Sequence, residues 1–93
     1  MDTIEIDGMR LRGDTIPLFG AKLMVIQAGS GMLGCGYINM ETAEKLGHAL
    51  AVVTGVSSYD DMLGAEVKLV SSAARKLGVV PGMTGAAALK KMN

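Results

Sequence analysis

The run Leu23-Met24-Val25-Ile26, followed by Gly29-Ser30-Gly31 and then by residues 32–38, decides how this chain folds. Four consecutive apolar residues, two of them β-branched, are too few to cross a membrane and read as a central strand buried on both faces. The Gly-Ser-Gly cluster is expected to supply the positive φ angles of a short reversal, after which the chain returns antiparallel. A period of two then puts Leu33, Cys35 and Tyr37 on one face of the returning strand and Met32, Gly34, Gly36 and Ile38 on the other. Glycines at alternate positions leave that second face bare. A helix, a second sheet or a ligand is therefore expected to approach the backbone there.

The same glycines spell G-x-G-x-x-G from Gly29 to Gly34, behind a strand. In a dinucleotide site those glycines open a helix whose N-terminus meets the pyrophosphate. Here Gly34 and Gly36 fall where that helix would run, and the remaining chain is too short for a second Rossmann half. The hairpin is the better reading, and no cofactor is expected.

Towards the N-terminus, Ile4, Ile6, Met9 and Leu11 alternate with polar residues around Asp7-Gly8. Asp-Gly suits a type I′ turn, so an N-terminal β-hairpin is predicted. Gly13-Asp14 reads as a second turn, and Pro17 marks an edge in a short extended piece from Ile16 to Phe19. Residues 1–20 form the N-terminal β region and residues 21–93 the α/β core, within one structural domain overall. A lone hairpin with one apolar face is marginal in water, so it must lie on the domain or pair with another copy of itself.

Towards the C-terminus, Asn39, Ser57 or Ser58, Ser71 and Thr84 each precede a short helical pattern and read as N-caps. Strands are predicted over residues 49–53 and 66–70. The fold class is α+β: a small mixed or antiparallel sheet with an N-terminal β-hairpin and three to four short helices. Ala43-Glu44-Lys45-Leu46-Gly47 and Ala74-Arg75-Lys76-Leu77-Gly78 look alike. Recurrent C-capping explains them better than a duplication does.

Ninety-three residues make one small domain. Hydrophobic residues are 49% of the chain while only three are aromatic, so the core must be built from Val, Ile, Leu, Ala and Met. Such an excess of apolar surface over one small core favours an oligomer. Nine basic and nine acidic residues cancel without a run of either sign, which disfavours nucleic acid as a partner. The single cysteine excludes an internal disulfide and fits a reducing compartment. The N-terminal stretch shows neither a secretory signal nor a membrane span, so a cytoplasmic location is expected.

The ordered set Cys35-Gly36-Tyr37, Val53-Thr54-Gly55-Val56, Asp61-Met62-Leu63, Val70-Ser71, Gly82-Met83-Thr84-Gly85 and Ala88-Leu89 resembles the YunC-like family, a bacterial and archaeal domain of unknown function. The resemblance implies a compact α/β domain whose N-terminal β region mediates tetramer formation. It also implies acidic residues where His48 and Ala87 stand here, so neither carboxylate is essential to what the family does. It supplies no activity.

Four groups of residues are candidate sites. Cys35 is a potential nucleophile, which would need its thiolate made accessible by a base, a cation or a helix end; as a free cysteine on a strand face beside Leu33 and Tyr37 it reads better as a small hydrophobe. His48, the only histidine, could be the base for Cys35, or could simply complement a helix end. Asp60 and Asp61 could act as an acid/base pair, but adjacent helical residues diverge by about 100° and suit the start of a helix better. Gly82, Met83, Thr84 and Gly85 put backbone N–H groups at a helix start, a candidate anion site. No metal pattern is present. The leading expectation is a homo-oligomeric, tetrameric binding or assembly module with no nucleic-acid or membrane partner. The alternative is an enzyme using Cys35, with His48 or a helix N-terminus as helper, in a cleft between subunits.

Overall fold

Asp7 and Gly8 both adopt left-handed conformations, with φ 45° and 83°, as the predicted type I′ turn requires. They close strand β1 (Asp2–Ile6) onto β2 (Met9–Leu18) with Ile4 opposite Leu11. The computed structural model describes every residue, Met1–Asn93. Contrary to expectation, β2 runs straight through Gly13-Asp14 without turning. A Cβ at Gly13 would collide with the Ile4 side chain and lie 2.8 Å from the Tyr59 ring. Close approach, not reversal, explains that glycine.

The reversal comes at Phe19 and Gly20, with φ 47° and 82°, which lead into β3 (Ala21–Gln27). Pro17 pairs with Lys22, beyond the last β1 partner at Gly13, so its missing N–H faces no ladder. Antiparallel pairing continues from β3 to β4 (Gly31–Gly34). The intervening glycines take no positive φ. Gly31 is bare instead because a Cβ there would lie 2.7 Å from Met92 Sδ and 2.8 Å from Ala49 Cβ. The C-terminus seals this turn: Ser30 N–H donates to Met92 O (2.6 Å) and Gly29 N–H to Asn93 Oδ1 (3.2 Å).

The returning strand is shorter than predicted, ending at Gly34 before a turn at Gly36-Tyr37. Ile38 then folds back across Gly34, leaving 2.6 Å between its Cγ1 and any added Cβ. The bare face is thus covered at Gly34 and open at Gly36, where the nearest atom to such a Cβ is Thr54 Cγ2 at 3.8 Å.

Helix α1 (Met40–Leu46), capped by Asn39 and Gly47, carries the chain over to β5 (Ala49–Val52), which lies parallel to β4. Helix α2 (Tyr59–Gly64) follows. The predicted strand over residues 66–70 shrinks to β6 (Leu69–Val70), antiparallel to β5, with an isolated bridge between Glu66 and Thr84. Helices α3 (Ser72–Lys76) and α4 (Gly85–Lys91) complete an α+β fold with a six-stranded mixed sheet in sequential order. No helix is long and apolar enough to cross a membrane.

One face of the sheet carries the main core. Ile4, Ile6 and Leu11 of the N-terminal hairpin share it with Ile26 and Leu33, and with Met62, Ala74 and Leu89 from the helices. On the opposite face α1 packs Ala43 against Leu50 and Val52. The two similar helix tails therefore lie on opposite faces. Each ends in a left-handed glycine, after which His48 N–H returns to Ala43 O (2.9 Å) and Val79 N–H to Ala74 O (3.2 Å). The same cap is built twice.

Helix α1 reaches only β4 and β5. Across β2 and β3 the same face, carrying Ile16, Leu23 and Val25, has no covering element, and Leu23 and Val25 are only half-buried. The central strand is therefore buried on one face, not two.

Candidate functional site

Three glycine-containing segments meet where β4 leaves the sheet: residues 20–22, 35–37 and 55–57. They enclose a cleft of about 460 Å³, within the range of small-molecule sites. Gly20 and Gly55 hold left-handed conformations that turn their loops around its rim. Lys22 crosses from β3 to donate its Nζ to Ser57 O at 2.8 Å. The Tyr37 ring stands at the edge and is exposed.

Cys35 belongs to this cleft but is only 4% exposed. Its Sγ accepts the Met24 N–H at 3.2 Å and donates weakly towards Lys22 O at 3.8 Å, while its own N–H donates to Met24 O at 3.1 Å. These contacts extend the β3–β4 pairing by one residue and engage the thiol as both acceptor and donor. Labelling of native protein with iodoacetamide is accordingly expected to be roughly a hundredfold or more slower than in the unfolded chain. Fast native labelling that rises with pH would instead show an available thiolate.

His48 lies elsewhere. The parallel register sets Gly31 beside Ala49 and Gly34 beside Val52. His48 therefore precedes one end of this strand pair and Cys35 follows the other, roughly 16 Å apart along the strands. The two do not meet within one chain. The histidine is exposed, and its carbonyl accepts a hydrogen bond from Ser71 Oγ (2.8 Å).

At the candidate anion site of Gly82, Met83, Thr84 and Gly85, three of the four backbone donors are engaged within the chain. Gly82 N–H donates to Val67 O and Gly85 N–H to Ala65 O, both at 2.9 Å, and Met83 N–H points to Val80 O at 3.5 Å. Thr84 Oγ1 accepts Ala87 N–H (3.2 Å) as an ordinary cap. These donors fasten the start of α4 to the segments before it and are not free for a ligand.

Asp61 is similarly engaged. Its Oδ2 accepts both the N–H and the hydroxyl of Ser57 at 3.0 Å, and these bonds hold its carboxyl below the usual range. Ser58 Oγ in turn accepts Asp61 N–H as the helix cap. Asp60 stays exposed. Nowhere do three His, Cys, Asp or Glu side chains gather to hold a metal.

Sequence reasoning missed two polar groupings. Tyr59 OH donates to Asp2 Oδ2 (2.7 Å) and accepts from Thr15 Oγ1 (2.9 Å), tying the N-terminal hairpin to α2; burial pushes its phenol up. Glu44 accepts the N–H and hydroxyl of Ser72, both at 2.7 Å, so α1 supplies a second cap to α3; those bonds lower its carboxyl. Each pair is separated by 28 or more residues, and no local pattern announces it.

Residues 34–92 match the model of a family described as a domain of unknown function, DUF1805. The uncharacterized protein YunC of Bacillus subtilis strain 168 is 30% identical over 93 residues, spanning 96% of this chain and 92% of the relative. The crystal structure of a protein of unknown function from Thermoplasma acidophilum is similar with a TM-score of 0.92 at 38% identity, covering 99% of this chain and 90% of that one. The likeness therefore extends over the N-terminal strands that the family model leaves out.

Proposed function

Because this chain belongs to the DUF1805 family, for which neither the family description nor the relatives above name an activity, we propose a role read from its surface: a cytoplasmic, homotetrameric binding or assembly module joined through its N-terminal β region. Phe19 carries the reading. It is fully exposed, at 109% relative accessibility, and it occupies a left-handed φ of 47°. A bulky residue is disfavoured in that conformation and an exposed one has nothing of its own chain to pack on. Asparagine or glycine would serve the turn better, so the aromatic ring carries a cost to the isolated subunit.

Beside it, Ile16 and Leu18 of β2 share the uncovered face with Leu23 and Val25 of β3, and Ile16 is 53% exposed. A second copy laid on this ribbon would bury all five side chains. The cysteine-enzyme alternative gains no support from this geometry, since the thiol is hydrogen-bonded and His48 is remote.

Native mass spectrometry and sedimentation at tens of micromolar are expected to show a tetramer. The combined change Ile16→Asp and Phe19→Asn is expected to give a folded monomer, since asparagine tolerates the turn. A monomeric wild type, or a variant that stays tetrameric, would overturn the proposal.

A further inference from the structure

The cleft beside Cys35 has an electrostatic bias that the assembly role does not use. Lys22 is the only charged residue lining it. Its ammonium donates to one neutral carbonyl, Ser57 O, and takes part in none of the chain's ion pairs. The Asp61 carboxylate, four residues beyond Ser57, is occupied by the N–H and hydroxyl of that serine.

Unclaimed backbone donors accompany the ammonium. The N–H groups of Gly36, Tyr37, Gly55 and Val56 have no acceptor in the chain, whereas their neighbours Cys35, Ile38 and Ser57 donate to Met24 O, Cys35 O and Asp61 Oδ2. All four free donors belong to residues that line the cleft. Gly36 has no side chain to bar a ligand from the backbone, and the space above it is open. Apolar surface from Ala21, Val56 and the exposed Tyr37 ring completes the walls.

We infer that this cleft binds a small organic monocarboxylate with an apolar or aromatic body. One ammonium with uncharged N–H donors balances a single negative charge, and no arginine is present to grip a phosphate dianion. The volume of about 460 Å³ accepts an acid of phenylacetate size or somewhat larger. The walls come from one chain, so the inference goes beyond the assembly proposal and survives its failure.

The test is an amide-resolved NMR titration of the full chain with phenylacetate and, separately, with neutral phenylacetamide. Phenylacetate is expected to shift the Gly36, Tyr37, Gly55 and Val56 resonances saturably, and phenylacetamide to bind at least about tenfold more weakly, the scale of a charge-assisted hydrogen bond. Lys22→Met should weaken phenylacetate by a similar factor. Tyr37→Glu changes an exposed side chain, sets a carboxylate at the rim and should weaken it further, so it carries the test should Lys22→Met fail to fold. Absence of saturable shifts, shifts centred elsewhere, equal binding of acid and amide, or indifference to both weakening variants would each overturn the inference.

Discussion

Gly85→Ala is expected to destabilise the protein by about 3 kcal/mol or more, over half of the stability at the low end for small domains. Gly85 is the first residue of α4 and is buried where that helix meets α2. An added Cβ would overlap the Met62 carbonyl oxygen and lie 2.8 Å from Leu33 Cδ2. A leucine methyl can swing away, but a helix carbonyl cannot. Relief would need α4 to move off α2, which would also stretch the bond from Gly85 N–H to Ala65 O (2.9 Å) and loosen Ala88 and Leu89 in the core.

A matched control lies in the facing helix. Gly64, the last residue of α2, has ordinary φ and nothing within 4 Å of its would-be Cβ. Gly64→Ala should therefore stabilise by about 0.5 to 1 kcal/mol, through the reduced freedom of the unfolded chain. Urea denaturation at one fixed protein concentration compares the two. If Gly85→Ala proves no more destabilising than Gly64→Ala, the close approach of α4 to α2 is wrongly described.

Glycine also shows how far this fold could be read from its residues. Asp7-Gly8 was legible because a two-residue turn between alternating strands has a local requirement, φ above zero at both positions. The caps Asn39, Ser71 and Thr84, and Ser58 to within one residue, were legible for the same kind of reason, since each satisfies donors within its own first turn. Gly13, Gly31 and Gly85 were not. Each is bare because a residue distant in sequence presses on it, namely Tyr59, Met92 and Met62, and spacing along the chain carries no trace of that partner.

The site divides similarly. Cys35 was placed on the side of the core correctly, but its role as nucleophile required a view of Met24 N–H and Lys22 O, which occupy the thiol. Cys35 and His48 stand apart within one chain because β4 and β5 are parallel, so residues that follow one strand and precede the next fall at opposite ends. Lys22 and Val56 escaped notice as cleft residues because three separate loops assemble there. Phe19 escaped because its anomaly is conformational, and its positive φ appears only in the folded chain.

Ser71→Ala is the second large effect, and its size follows from one hydroxyl making three bonds. Ser71 is 1% exposed. Its Oγ accepts Leu50 N–H at 2.8 Å and Ala74 N–H at 3.2 Å, and donates to His48 O at 2.8 Å. The Ala74 contact is the expected helix cap, worth about 1 kcal/mol. The other two replace ladder bonds: β6 ends at Val70, and the side chain of the next residue takes over the N–H of Leu50, itself wholly buried in β5. Alanine leaves that N–H without an acceptor and without room for water, a loss of about 1 to 3 kcal/mol beyond the cap. A total of about 2 to 4 kcal/mol is expected. Ser58 offers the comparison, because its side chain makes one cap bond at an exposed position, to Asp61 N–H at 3.0 Å. Ser58→Ala should cost only about 1 kcal/mol. If the two substitutions prove equal in urea denaturation, Ser71 is an ordinary cap and the sheet edge does not depend on it.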